Sequence, residues 1–334
     1  MRTLYIGCYT NGSSQGLQKI SFNALTGSFD RSEVIAEISN PSFVINDPQA
    51  IYTASEVSQS ESPELFCISG SKVSSLPIAG DHPCHLAKHE QVGLLASSQY
   101  SSGSIDIFKL NDAGTPHEKL KTIQLQGSSI NKGRQESAHA HQTIFLNTLP
   151  LLANVDLGSD KIRFFDTETF ELKGSIALPA GSGPRHMLLN KDESIAYILC
   201  ELTEELVIAK RDQGDWKIIQ QIELLQDSKI GEAAAAIKMS QDGRFIYTSS
   251  RAQSKISLFE IDSETGLVTF KNAFDSQGDF PRDFELVANG EWLITANQRS
   301  NNLASFKVNK ETGELEFSGH TIDIGAPVCI SEVL

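Results

Sequence analysis

No stretch of this sequence stays apolar for the roughly 20 residues that a membrane-crossing helix needs. The opening run Met1-Arg2-Thr3-Leu4-Tyr5-Ile6-Gly7-Cys8 passes directly into strand-like alternation, without the apolar stretch and small-residue cleavage site of a secretory signal. A soluble, cytoplasmic chain is expected. Cysteine is scarce and scattered: Cys8, Cys67, Cys84, Cys200 and Cys329 form no CxxC pair, which argues against a disulfide framework and a cysteine zinc site and points to reduced, buried thiols. Basic residues are outnumbered, 28 against 42 acidic, for a net charge of −14. That excludes nucleic acid and anionic membranes as expected partners. Aromatics make up only 7 %, little for a large protein-binding hot spot. No long helical pattern and no linker composition is present, so residues 1–334 are read as one all-β domain.

What the sequence does have is a repeat. Four segments share an apolar start and an aromatic end: Ile105-Asp106-Ile107-Phe108, Ile162-Arg163-Phe164-Phe165, Ile256-Ser257-Leu258-Phe259 and Leu303-Ala304-Ser305-Phe306. The interval from Phe165 to Phe259 is twice that from Phe259 to Phe306, so a further unit belongs between them. Leu206-Val207-Ile208-Ala209 supplies it. Each segment runs into a polar turn closed by glycine, as at Asp262 to Gly266 and Asn309 to Gly313, with echoes at Asn23 to Gly27 and Asn111 to Gly114. Glycine supplies the positive φ that such hairpins need, and Asp or Asn ties the turn through its side chain. Two further strands precede each shared segment.

Unit starts fall at Pro41, Pro83, His139, Pro184, Ala234, Pro281 and Pro327. The last start has only one strand after it, while the N-terminal segments lack a first strand, so the two ends complete one unit together. Closing the ring leaves no open sheet edge. The fold class expected is therefore a seven-bladed β-propeller whose first and last blade is closed by N- and C-terminal strands. The largest insertion, residues 126–136, should cover one face.

In a propeller the inner strands line a channel whose mouth is the usual ligand site. Second strands end at Glu56, Tyr100, Asp156, Glu201, Arg251 and, after Asn297, Gln298; first strands begin near His82, His85, His139, His141, Arg185, His186 and Arg282. A mixture of His, Arg and Glu at such positions is what acid–base work on an anionic substrate requires. His139 and His141, two apart, should share one side of a strand. Asp156 and Asp160 are read as tying a local turn rather than as a calcium site.

These residues carry a resemblance. Ser137-Ala138-His139-Ala140-His141, Gly183-Pro184-Arg185-His186-Met187, Ala196 to Leu202, Pro281-Arg282-Asp283-Phe284 and Ala296 to Asn302 resemble the seven-bladed propeller lactonases, a family that includes a bacterial type of 6-phosphogluconolactonase and the fungal carboxy-cis,cis-muconate cyclases. Weaker matches lie at Leu4 to Thr10 and Pro83 to Leu86. The resemblance implies a site built from His141 or His139, Arg185, Glu201 and a second arginine, Arg251 or Arg282. It implies hydrolysis of a small anionic sugar lactone without metal or other cofactor. Glu201 or His141 would be general base, Arg185 would stabilise the oxyanion, and Arg251, Arg282 or His186 would hold the anion. Glu56, His85, His139, Asn297 and Gln298 are expected to complete the substrate contacts. The chain departs from the pattern in residues 41–76 and at the small-residue stretch Gly231 to Ala236. A lactonising cyclase acting on a dicarboxylate, or a propeller that only binds, are the alternatives.

Overall fold

The computed structural model describes residues 1–226 and 228–333. Among them are seven four-stranded antiparallel sheets and no α-helix, with one 3-10 turn at Gln59–Glu61. No helix of the described residues is long and apolar enough to cross a membrane. Blades 1 to 6 begin with the inner strands Pro41–Asn46, Pro83–His89, Ala140–Phe145, Pro184–Leu189, Ala234–Met239 and Pro281–Val287. Blade 7 takes its inner strand, Pro327–Glu332, from the C-terminal end and the other three, Arg2–Cys8, Leu17–Phe22 and Glu33–Ala36, from the N-terminal end. There Leu4 pairs with Glu332 and Ile6 with Ile330. Every inner strand packs on the inner strands at either side of it, round the full circle. The fold is the seven-bladed β-propeller, closed where the sequence places the seam.

Burial explains the strand patterns. The second strands Leu94–Gln99, Ile195–Cys200, Phe245–Ser250 and Trp292–Asn297 are buried at every residue, because a neighbouring blade covers each face. Alternation is therefore weak in them and apolar content high. Outer strands such as Leu172–Ala177 are mostly exposed. The aromatics ending the shared segments, Phe108, Phe259 and Phe306, are buried in the layers between blades.

The glycine turns are also fastenings. The Tyr52 hydroxyl donates to the Gly114 carbonyl of the next blade (2.7 Å), and the Tyr247 hydroxyl to Gly313 (2.7 Å). At the seam, Trp292 takes the same part, donating its indole N–H to Ala24 O (2.9 Å) with its ring against Gly27. Gly27 has φ +79° and no room for a Cβ beside that ring. Tyr52→Phe and Tyr247→Phe are each expected to lower unfolding free energy by about 1 kcal/mol, additively since they sit at separate interfaces. Denaturant titration of the single and double variants checks this.

Every inner strand carries a register shift just after its start. Blade 3 pairs Ala140 with Asp156 and then Gln142 with Val155, leaving His141 without a partner. By the same device Cys84, Arg185, Arg282 and Val328 are single unpaired residues, and Ser42–Phe43 and Ala235–Ala236 unpaired couples, in the other blades. A bulge re-aims one residue and breaks the alternation of faces. His139 and His141 both meet the Tyr100 ring, but only His141 lines the cavity described below. His139 precedes the strand, stacks on Tyr100 (4.6 Å between ring centres) and bonds through Nδ1 to the Tyr100 carbonyl (2.9 Å).

Candidate active site

Two kinds of position in the repeat supply one end of the channel. The first is the bulged residue, used at Cys84, His141 and Arg282. The second is the residue that follows the second strand, whose N–H bonds the carbonyl just before the inner strand. Tyr9, Glu56, Tyr100, Leu157, Glu201, Arg251 and Gln298 hold this position, bonding Ala326, Asn40, His82, His139, Gly183, Ala233 and Phe280 in turn. Together the two sets surround a cavity of about 350 Å³ lined by Tyr9, Glu56, Cys84, Tyr100, His141, Glu201, Arg251, Arg282 and one residue from outside the repeat, Arg134. That volume suits a small ligand.

Glu201 is the electrostatic centre. Its side chain is 4 % exposed and touches three guanidiniums: Arg134 Nη2 donates to Oε1 (2.6 Å), Arg251 Nη2 lies 2.9 Å from Oε1, and Arg185 Nε lies 3.0 Å from Oε2. Arg185 Nε is within ionic reach but not aligned to donate. Burial alone would raise the Glu201 pKa. The charges of Arg251, Arg185 and Arg134 outweigh it and hold the carboxyl at about 2. Arg185 stands behind Glu201 rather than in the cavity wall, with Nη1 donating to the Ala235 carbonyl of the small-residue stretch. Its burial, with Arg251 and Arg282 near, brings it down to about 9, still charged at neutral pH. Arg251 is braced by Ala233 O (2.9 Å) and the face of Phe280. Arg282 lies over the Tyr9 ring, and the Tyr9 hydroxyl donates to Glu56 Oε2 (2.9 Å).

Three imidazoles descend from the cavity. His141 lines it, His186 lies 5.2 Å below by ring centre, and His85 a further 5.7 Å on, against Phe43. Burial and the Arg185 and Arg282 charges keep His141 well below its ordinary pKa, so it is neutral. His186 is depressed by burial and Arg185, and His85 falls to about 3 through burial, Lys238 and Arg185. Nδ1 of His141 makes no hydrogen bond.

The structure thus gathers His141, Glu201, Arg251, Arg282 and Glu56 round one cavity, with Arg185 behind it and His186 and His85 beneath. His139 is set back behind Tyr100. Asn297 turns into its own blade, donating to Ser276 O (3.1 Å) and Thr295 Oγ1 (3.2 Å). Gln298 holds a ring position but is not part of the cavity wall. Asp156 ends its strand one residue early for the ring. Its carboxylate takes the N–H groups of His139 (2.8 Å) and Gly158 (3.0 Å) and pairs with Arg163, while Asp160 takes those of Gly181 and Gly183 (2.7 Å each). Among the described residues no three His, Cys, Asp or Glu side chains are grouped as a metal site would need. Tyr9 and Arg134 were not among the candidates drawn from the sequence. Tyr9 occupies the ring position of the split blade: the sequence joins the two ends into one unit, but the strand-end positions drawn from it come only from the six unbroken blades. Arg134 lies in an insertion where no period applies.

Comparison with known proteins agrees with this fold. The family model for the lactonases described as a 7-bladed beta-propeller matches residues 3–332. The chain is 26 % identical over 298 residues to 6-phosphogluconolactonase of Bacillus subtilis, covering 84 % of this chain and 83 % of that one. A crystal structure from Bacteroides fragilis, described as a candidate 6-phosphogluconolactonase, superimposes with TM-score 0.89 at 27 % identity, over 100 % of this chain and 98 % of that one. The periplasmic gluconolactonase of Pseudomonas aeruginosa shares the fold, with TM-score 0.92 at 23 % identity and coverage of 100 % and 99 %. With a match from residue 3 to residue 332 and a ring of inward-facing Arg, His and Glu, the chain belongs to the seven-bladed β-propeller lactonase family.

Proposed function

We propose that this protein hydrolyses a sugar-acid lactone, 6-phosphogluconolactone, in the cavity around Glu201. The observation that carries the reading is the charge of that cavity. Three arginines of its wall (Arg134, Arg251, Arg282) and Arg185 behind Glu201 stand against two glutamates (Glu56, Glu201), a formal excess of two positive charges beside neutral histidines. A phosphate monoester brings about two negative charges at neutral pH, so the substrate balances the site.

Hydrolysis needs a base for water, donors for the oxyanion and a proton for the leaving alkoxide. His141, kept neutral, takes the proton as water oxygen bonds to the lactone carbonyl carbon. An arriving anion offsets the arginine charges and raises the basicity of the imidazole at that moment. Arg251 and Arg282 stabilise the oxyanion. As the ring C–O bond breaks, the imidazolium returns its proton to the alkoxide, leaving an open hydroxy acid. Glu201 has both oxygens engaged and a pKa of about 2, so its part is to orient the guanidiniums rather than to accept a proton. Arg185 steadies Glu201 from behind.

We place the reaction in the cytoplasm, since a phosphorylated sugar does not cross a membrane unaided. Turnover of 6-phosphogluconolactone above its spontaneous opening is the direct test, and no acceleration by folded, purified protein removes the proposal. Because His141 is held well below 6.5, the acid limb of kcat/KM should lie below pH 6.5. A limb centred at or above that value points to another base.

A further inference from the structure

Of the nine residues lining the cavity, Arg134 is the one that the repeat does not supply. It comes from the long insertion 126–136, and that loop is firmly placed. Gln135 is fully buried and donates through Nε2 to Leu157 O (2.9 Å) and Asp160 Oδ1 (2.7 Å), while Ser129 N–H bonds its carbonyl (2.9 Å). Asp160 Oδ1 also takes the N–H of Gly183, whose carbonyl takes the N–H of Glu201 (2.7 Å each). One turn therefore fixes both Arg134 and Glu201.

Arg134 also differs from Arg185 and Arg251 in accessibility. Its side chain is 36 % exposed, against 4 % for Arg185 and 9 % for Arg251. It spends only Nη2, on Glu201 and on the Tyr100 hydroxyl (3.4 Å), and its Nε and Nη1 have no partner among the described residues. The Tyr100 side chain separates it from the base: its hydroxyl meets Arg134, and its ring meets His141 edge-on at 5.7 Å. The arginine charges that act on His141 are those of Arg185, Arg282 and Arg251. In a 6-phosphorylated sugar 1,5-lactone the phosphate hangs from the exocyclic carbon, outside the ring and several bonds from the reacting carbonyl. Set away from the base, with its Nε and Nη1 N–H groups unspent, the guanidinium suits that exocyclic group, since charge-assisted N–H donors bind phosphate.

We propose that Arg134 sets the preference of this site for a lactone bearing a terminal phosphate over the same lactone without one. The assignment rests on the lactone-hydrolase reading above and names a residue for its specificity. The test compares kcat/KM for 6-phosphogluconolactone and for gluconolactone in wild type, Arg134→Gln and Arg134→Lys. In Arg134→Gln the ratio of the two should fall about 10- to 100-fold, through KM for the phosphorylated substrate. Arg134→Lys, which keeps the charge but not the fork, should recover part of the ratio. An equal loss on both lactones would show that Arg134 acts only by positioning Glu201, and would overturn the proposal, as would an unaltered ratio.

Calorimetric titration with 6-phosphogluconate and with gluconate separates this from the reaction itself. If wild type hydrolyses neither lactone, the hydrolase reading falls, and titration decides Arg134 alone. Weakened binding of 6-phosphogluconate in Arg134→Gln, larger than any change for gluconate, sustains the phosphate assignment. Equal binding of 6-phosphogluconate by both proteins overturns it.

Discussion

Glu201→Gln should cost both activity and stability, because one carboxylate holds three guanidiniums in register. The substitution keeps the shape and removes the charge that Arg134, Arg185 and Arg251 share. Loss of one partner from a buried ionic cluster typically destabilises by about 3–5 kcal/mol, since the remaining charges stay buried without compensation. Rate should fall by about 10²- to 10³-fold, the usual consequence of losing a preorganised donor, as the Arg251 guanidinium turns from the position of the oxyanion. A pure base would lose rate with little change in stability, so measuring both separates the two roles. Acid titration adds a third reading. The folded-state pKa of about 2 lies below the ordinary 4.5, so Glu201 stabilises the fold above pH 4.5, and this contribution is lost as pH falls from 4.5 through 2. The amount is on the order of 3 kcal/mol. Stability of the Gln variant should therefore be flatter over that acid window than that of wild type. Wild-type stability with activity reduced only a few-fold would dismiss the cluster as the organiser of the site.

His141→Asn should lower kcat by about 10²- to 10⁴-fold, the usual worth of a positioned general base. Its effect on KM should be smaller, since the guanidiniums that bind the anion remain. The fold should persist: the imidazole is neutral, and its Nδ1 makes no hydrogen bond that the substitution would break. The contrast with Glu201→Gln is informative. One variant damages chemistry and spares stability; the other damages both. Parallel kinetics and thermal unfolding check the pair, and a His141→Asn protein within a few-fold of wild-type kcat removes His141 from the mechanism.

Much of the architecture was legible in the sequence because proline and glycine mark it physically. Proline begins five inner strands, and glycine closes the outer hairpins where positive φ is required, so the repeat could be counted. Glu56, Tyr100, Glu201 and Arg251 then followed from one position per blade. Where alternation was trusted, it misled. His141 sits on a bulge and His139 lies before the strand, and nothing in the letters announces a bulge. The ring position of blade 3 is Leu157, one residue past the conspicuous Asp156, whose carboxylate is used within its own turn. Arg134 had no periodic signal at all; only the contacts of Gln135 with Leu157 and Asp160 bring it to the cavity.

Blade 7 draws on both ends of the polypeptide, and this bears on how the protein comes into being. In synthesis Arg2–Cys8 is made long before the strand that pairs with its inner edge, Pro327–Glu332. Tyr9 and Arg282, which meet at 5.2 Å in the finished cavity, are separated by most of synthesis. The nascent molecule thus carries an unsatisfied hydrogen-bonding edge until Pro327–Glu332 has been made. Assembly of the working centre waits on that one strand.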